Sequence, residues 1–364
     1  MAWWLWIITY LSICGFAAMI LCCGDPEGST CIDIITRCVC IGVPWAFKST
    51  LKVLFGDKGT EVVDSWMHYL LYKNNPSIQI FYLFIVVGGY FAFVTFGYPY
   101  MPGPLISGAH KWGGLVAFAV CLFTFAIASL KDPGIVHRAN EKACVSQFPY
   151  DGVIFVEGKK CPTCDTLKPA RSKHCSMCDV CVVRFDHHCV WIGNCVGEGN
   201  HRWFIYFLLT HAFLCVYGSL VGVLILLGQI IERQLFQAVY VDAVTGERFS
   251  ASYSIVFQYM LANNAILMFV TLLCIIMSAV LVAFTAYHLF LVAANVTTNE
   301  TFKYRNERRR LELSGERPDQ IQNIYDKGVW ENFRECFAPQ ELFRNYHLVA
   351  EEKRPTQRGK LKGS

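Results

Sequence analysis

Seven cysteines and three histidines lie within the thirty-five residues from Cys161 to Cys195, in the order Cys161-x2-Cys164-x9-His174-Cys175-x2-Cys178-x2-Cys181-x4-Asp186-His187-His188-Cys189-x5-Cys195. Cys-x2-Cys steps beside histidine are how a chain offers a tetrahedral zinc ion its thiolate and imidazole ligands. Two four-coordinate sites need about eight donors, and the window holds ten candidates, so two groups are expected to stay unliganded. A surplus of donors favours closed structural sites over a hydrolytic zinc with an open position. His187, His188 and Cys189 are consecutive and cannot easily all turn to one metal, which puts the spare groups in the run beside Asp186.

A bare cysteine beside a histidine that is itself preceded by an aspartate has the parts of an activated nucleophile. A free thiol, with a pKa of about 8.5, is mostly protonated at neutral pH. A histidine can take its proton, and a carboxylate can fix the imidazole tautomer. The plainer alternative is that Asp186 merely hydrogen-bonds a metal-bound histidine. Spacing leaves both open.

The elements that must hold this window are apolar helices. The chain has 364 residues, 54% hydrophobic and only 16% charged, more apolar than a soluble core of this length requires. Runs long enough to cross a bilayer, roughly 20 residues, fall at Trp3 to Cys22, Ile78 to Gly97, Trp112 to Leu130, Trp203 to Ile230 and Ala265 to Ala293. The first lacks a basic leader and a clear cleavage site, so it reads as a retained anchor. The segment from Ile34 to Phe55 carries Arg37, Lys48, Lys52 and Pro44, which suits a helix lying in the interface better than a crossing. Ten Lys and Arg residues lie between Lys131 and Arg202 and fourteen after Asn295, so both regions are expected in the cytosol. Five spans then put the N-terminus on the lumenal side. A net charge of +4 is too small to imply nucleic-acid binding. Eighteen cysteines in a long chain, with the dense group at metal spacing, do not make a secreted disulfide scaffold.

Asp186-His187-His188-Cys189, followed by Val190-Trp191-Ile192-Gly193-Asn194-Cys195-Val196-Gly197 and preceded by Lys168-Pro169-Ala170-Arg171-Ser172-Lys173-His174-Cys175, resembles the cysteine-rich domain of the DHHC protein S-acyltransferases, or palmitoyltransferases. Outside the window, Asp132-Pro133-Gly134 matches the family's Asp-Pro-Gly motif and Thr297-Thr298-Asn299-Glu300 its Thr-Thr-x-Glu motif. Tyr325, Gly328 and Asn332 are similar to its C-terminal motif. The resemblance implies one zinc on Cys161, Cys164, His174 and Cys181 and another on Cys175, Cys178, His188 and Cys195. It leaves Cys189 to carry an acyl group, His187 as its base and Asp186 as the orienter, with Asp132, Gly134, Thr297, Thr298, Glu300 and Asn332 supporting.

The resemblance also implies an α-helical polytopic membrane protein. Four core transmembrane helices plus an extra N-terminal helix would carry a small cytosolic zinc-binding domain between core helices 2 and 3. The corresponding divisions are an anchor at 1–23, a cytosolic or interfacial region at 24–76, core helices at 77–130, the cysteine-rich domain at 131–202, core helices at 203–294 and a cytosolic region at 295–364. The implied activity moves a palmitoyl group from palmitoyl-CoA to cytosol-facing cysteines of substrate proteins, through an acyl-cysteine intermediate. Membrane lipid is the other partner, nucleic acid is not one, and the endoplasmic reticulum or Golgi is the expected membrane.

Several residues carry blander readings. Asp132-Pro133-Gly134 by itself is an ordinary turn after a helix. Lys168, Arg171, Lys173 and Arg184 suit coenzyme A phosphates or lipid headgroups, or else a solvated face. Cys336 is open to acylation. Asn295 and Asn299 fit the glycosylation pattern but are expected to face the cytosol. A membrane-anchored zinc adaptor with every cysteine structural, or an acyl hydrolase using the same thiol, would be a different function for the same residues.

Overall fold

The structure is a computed structural model that describes residues 37, 38, 42–73, 75–241, 245–316 and 321–338. In chain order its elements are α1 (Val43–Tyr72), α2 (Ser77–Gly97), α3 (Ala109–Leu130), β1 (Ile135–Val136), α4 (Glu141–Val145), β2 (Lys173–Cys175), β3 (Val180–Val182), β4 (His187–Cys189), β5 (Asn194–Val196), α5 (His201–Glu232), β6 (Val239–Val241), β7 (Arg248–Ser250), α6 (Tyr253–Ala293), α7 (Thr298–Leu313) and α8 (Val329–Phe337). The chain divides into two compact units, Met1–Ala126 with Tyr206–Ala286 and Ile127–Ile205 with Tyr287–Ser364.

Four helices among the described residues are long and apolar enough to cross a membrane, spanning Ser77–Tyr100, Ala109–Leu130, His201–Glu232 and Tyr253–Ala293. Hydrocarbon leaves backbone amides no outside partner, so an apolar run of this length satisfies its own by closing helical bonds. In the first unit Met101, Ile106, Val221, Ile225 and Leu267 form a buried cluster. Gly222 is what permits the close approach of α5 to α6, because a Cβ there would collide with Thr271. Polar groups on these helices pair with each other: Thr124 with Thr210 at 2.9 Å and Tyr82 with His211. Unpaired, such groups would be costly in a lipid setting.

Two boundaries differ from the sequence expectation. The last span begins at Tyr253 and not at Ala265, because a first helical stretch whose apolar signal is diluted by Gln258, Asn263 and Asn264 precedes the apolar one. The two stretches meet at Asn264, whose φ of −135° and ψ of 29° mark a kink. The interfacial segment expected to end at Phe55 continues as α1 to Tyr72 past a break at Gly56, φ 70°. It is not among the helices suited to crossing, and Trp45, Phe55 and Trp66 on it are exposed. The run from Trp3 to Cys22 lies outside the described residues.

The second unit holds a three-stranded antiparallel sheet in the order β1-β3-β2 and the separate hairpin β4–β5. These strands are only two or three residues long. Ladders so short are marginal by themselves, so the side chains they carry must supply the rest of the cohesion.

Candidate catalytic and metal centre

Successive side chains on a strand face opposite ways, and this alternation divides the donors. In β2, His174 and the adjacent Cys175 part company. His174 Nδ1 faces Cys161, Cys164 and Cys181 Sγ at 3.6, 3.3 and 3.9 Å, while Cys175 joins a second group. There His188 Nδ1 faces Cys175, Cys178 and Cys195 Sγ at 3.7, 3.3 and 3.6 Å. Register supports both sets, with His174 opposite Cys181 across β2–β3 and His188 opposite Cys195 across β4–β5. In each set the four ligand atoms lie within 4.8 Å of one another, so each can hold a metal ion. His174 turns its other nitrogen to Asp179 Oδ1 at 3.4 Å, the outer carboxylate that orients many metal-bound histidines.

The same alternation in β4 sends His187 and Cys189 away from His188. The Asp186 carboxylate accepts a hydrogen bond from His187 Nδ1 at 2.5 Å. A carboxylate can only accept, so Nδ1 carries a proton, and the ring's other partner is Cys189. Cys189 is buried. Burial alone would discourage charge on His187, but the bonds and charges of Asp186 and Cys189 outweigh it and push its pKa up to about 10. Burial likewise works against a charged Asp186, yet the His187 contact and neighbouring imidazoles hold its carboxyl well below the usual range.

Asp186, which immediately precedes β4, is held from a distant part of the chain. Thr298 donates to it twice, from the backbone N–H to Oδ1 at 2.7 Å and from Oγ1 to Oδ2 at 3.0 Å. Thr298 is the first residue of α7, and the helix start is fixed by a capping box in which Thr297 and Glu300 bond each other's backbone N–H groups at 3.2 and 2.9 Å. Glu300 also takes a bidentate pair from Arg171, Nε and Nη2 each at 2.7 Å. Arg171 and Glu300 are wholly buried, and the guanidinium lies over the Tyr325 ring at 4.3 Å. Asn295 accepts from both Arg171 and Arg184 through Oδ1, at 2.8 and 2.9 Å.

Three further contacts fix the hairpin and its surroundings. Asn194, opposite Cys189 in the ladder, donates to the carbonyls of Ser129 and Lys131 at the end of α3, at 3.1 and 2.9 Å. Asp132 Oδ1 accepts from the N–H groups of Gly134 and Ile135 at 2.7 and 2.9 Å. The turn so formed lies against Gly197 and Gly199, where any Cβ would strike backbone carbonyls of Pro133 and Asp132. Asn332, fully buried, donates to Ala293 O at 2.7 Å and ties α8 to the end of α6.

Residues 154–305 match the family model described as DHHC palmitoyltransferase. The chain is 32% identical over 293 residues to Palmitoyltransferase ZDHHC4 of Mus musculus, covering 76% of this chain and 82% of the relative. It is 32% identical over 336 residues to Palmitoyltransferase swf1 of Schizosaccharomyces pombe, covering 85% and 89%. The chain belongs to the DHHC palmitoyltransferase family. The Bos taurus ZDHHC4 protein is 30% identical over 282 residues.

Within this family member, the motif residues Asp186, His187, Cys189 and Thr298 come together, and Thr297 and Glu300 stand one step behind them. Asp132 and Gly134 form the turn against Gly197 and Gly199, while Asn332 acts at a distance from the thiol, on α8. Arg171 and Arg184 correct an expectation. They are buried in ion pairs with Glu300 and Glu198, so neither is presented to phosphates or headgroups; the partner of Arg171 is 129 residues away, which spacing cannot reveal. Lys173 stays exposed. Cys336 is buried with Sγ 3.8 Å from His201 Nδ1, a poor acceptor for an acyl chain. Asn295 and Asn299 are buried as well, leaving no room for glycans. Sequence reading missed His201 and His288, which sit beside Asp186 but are lost as single polar residues in apolar runs.

Proposed function

We propose that Cys189 carries the acyl group in S-palmitoyl transfer, with His187 as its base, Asp186 as the orienter, and zinc in both Cys3His sets. The observation that carries this reading is the division made by β4: His188 turns into a Cys3His set, while Cys189 and His187, which is bonded to Asp186, turn out of it. The donor geometry fits zinc. Bonds of about 2.3 Å to sulfur and 2.0–2.1 Å to nitrogen require sulfur-to-nitrogen edges of about 3.6 Å, within the 3.3–3.9 Å seen here. With four protein ligands each, the ions would brace β2–β3 and the β4–β5 hairpin and leave no open position for chemistry.

His187 takes the Cys189 proton and the thiolate attacks the thioester carbonyl of palmitoyl-CoA. The carbon–sulfur bond to coenzyme A breaks, the proton passes from His187 to the departing thiolate, and an S-acyl Cys189 remains. A substrate protein's cysteine then gives its proton to His187 and attacks the same carbonyl, so the acyl group moves and Cys189 is reprotonated. Both steps exchange one thioester for another with little driving force, so the rate depends on activation and positioning. Burial of an acyl chain is worth about 0.8 kcal/mol per methylene, which accounts for running this exchange at a membrane.

The Lys and Arg distribution supports a cytosolic side for residues 131–202 and 295–364, and the endoplasmic reticulum or Golgi is the membrane that the family resemblance implies. Four crossings by the described helices would return the chain to that side after Ala293. The test is incubation of the purified protein with labelled palmitoyl-CoA. A hydroxylamine-sensitive label is expected on the wild type, and Cys189→Ser should lose it while keeping about two zinc ions per chain. Loss of zinc in that variant would sink the assignment and restore the adaptor reading.

A further inference from the structure

Asp186 has a second pair of neighbours that the transfer reaction does not use. His201, at the start of α5, and His288, near the end of α6, each bring a ring nitrogen into a group with an Asp186 oxygen in which all three atoms lie within 4.8 Å of one another. All three residues are buried, with 2%, 5% and 1% of the surfaces of Asp186, His201 and His288 exposed. His201 Nε2 has no hydrogen-bond partner among the described residues, and its Nδ1 lies beside the Cys336 thiol. One nitrogen engaged behind and the other bare is the posture of a histidine set to ligate.

We propose that Asp186, His201 and His288 form a third, inhibitory site for a divalent transition metal. Two imidazoles and one carboxylate suit zinc, cobalt or nickel and are too nitrogen-rich for calcium or magnesium. Asp186 has an acceptor position to give: among the described residues Oδ1 receives the Thr298 N–H, and each carboxylate oxygen can take two partners. The His187 ring packs 5.8 Å from the His288 ring, so an ion here would sit next to the base. It would draw on the carboxylate that holds the His187 ring through Nδ1, and so compete for the bond that sets the base. The enzyme would thus be slowed by free zinc without displacement of either structural ion. The inhibitory consequence rests on the acyl-transfer reading of Asp186; the binding itself does not.

The test uses the full-length, zinc-loaded enzyme in detergent, dialysed against buffered free Zn2+ and read by elemental analysis and by acylation. Wild type is expected to rise from two to three metal ions per chain as its acylation rate falls by roughly tenfold or more, toward the loss seen when a triad aspartate is disabled. His201→Gln and His288→Gln should each stop at two and resist zinc. A wild-type count that stays at two overturns the site, as does a third ion that persists in both variants; a third ion with unchanged acylation overturns the inhibition. Should either variant fail to keep its two ions, Co2+ added to the zinc-loaded wild type decides: absorption of a nitrogen- and oxygen-ligated cobalt supports the site, and sulfur-to-cobalt bands or no band refute it. Untreated enzyme that forms no acyl-cysteine would instead sink the transfer reading and leave the metal count to stand alone.

Discussion

The two Cys3His sets are chemically the same and structurally unequal. The first, Cys161, Cys164, His174 and Cys181, is built on β2–β3 and its nearby loops. The second, Cys175, Cys178, His188 and Cys195, takes two of its four ligands from β4 and β5, the strands that also present Cys189 and Asn194. Identical ligands therefore carry different responsibilities. The first set ties β2 to β3, whereas the second fixes the strand whose other face holds the Cys189 sulfur.

The largest effect should come from breaking that asymmetry directly. His188→Ala and His174→Ala should each reduce the metal content from two ions to one, but His188→Ala should erase the acyl-cysteine label and His174→Ala should leave a measurable remainder. Structural zinc binding is worth about 10–16 kcal/mol in small domains, so neither loss is minor. Equal residual labelling in both variants would mean that the sets act as one block. Next in size is Arg171→Met, which leaves Glu300 buried without its partner. A loss of about 3–5 kcal/mol is expected, seen as a large fall in thermal midpoint in detergent. An unchanged midpoint would return Arg171 to the role of a phosphate contact.

Smaller still, Thr298→Val removes the hydroxyl bond to Asp186 while the backbone N–H bond remains. Outer contacts of this kind typically matter about 10–100-fold, and the acylation rate should fall within that range with both metal ions retained. Thr297→Ala, one residue earlier, should cost only about 1 kcal/mol through its lost cap. A larger effect on rate than on stability would show that the two threonines share one task.

The spans are legible in the sequence because hydrocarbon demands long uninterrupted apolar stretches; Ile78 to Gly97 and the observed Ser77–Gly97 differ by one residue. The start of α6 is harder to read, since polar residues at its beginning still lie on a helix. The ten donors and their Cys-x2-Cys steps are plain to see. Their division between two sets cannot be read from spacing and comes from the family resemblance, because it depends on which strand face each donor occupies, and strands of three residues carry no periodic signal of their own. Arg171 is the sharpest case: as a letter in a basic stretch it looks solvated, and only folding brings Glu300 and Asn295 to it. His201 and His288 are hidden for a related reason, being separated by 87 positions and brought beside Asp186 only by the ends of two long helices.

The interleaving of the two sets bears on how the protein is made. Read outward from the ribosome, the first set is complete once Cys181 has emerged, while the second must wait for Cys195 with Cys175 and Cys178 already at hand. Closing the first set joins β2 to β3, and that pairing carries Cys175 into position for its own ion. Chain order thus lets the first set be completed before the second, and the strand bearing Cys189 belongs to the later of the two.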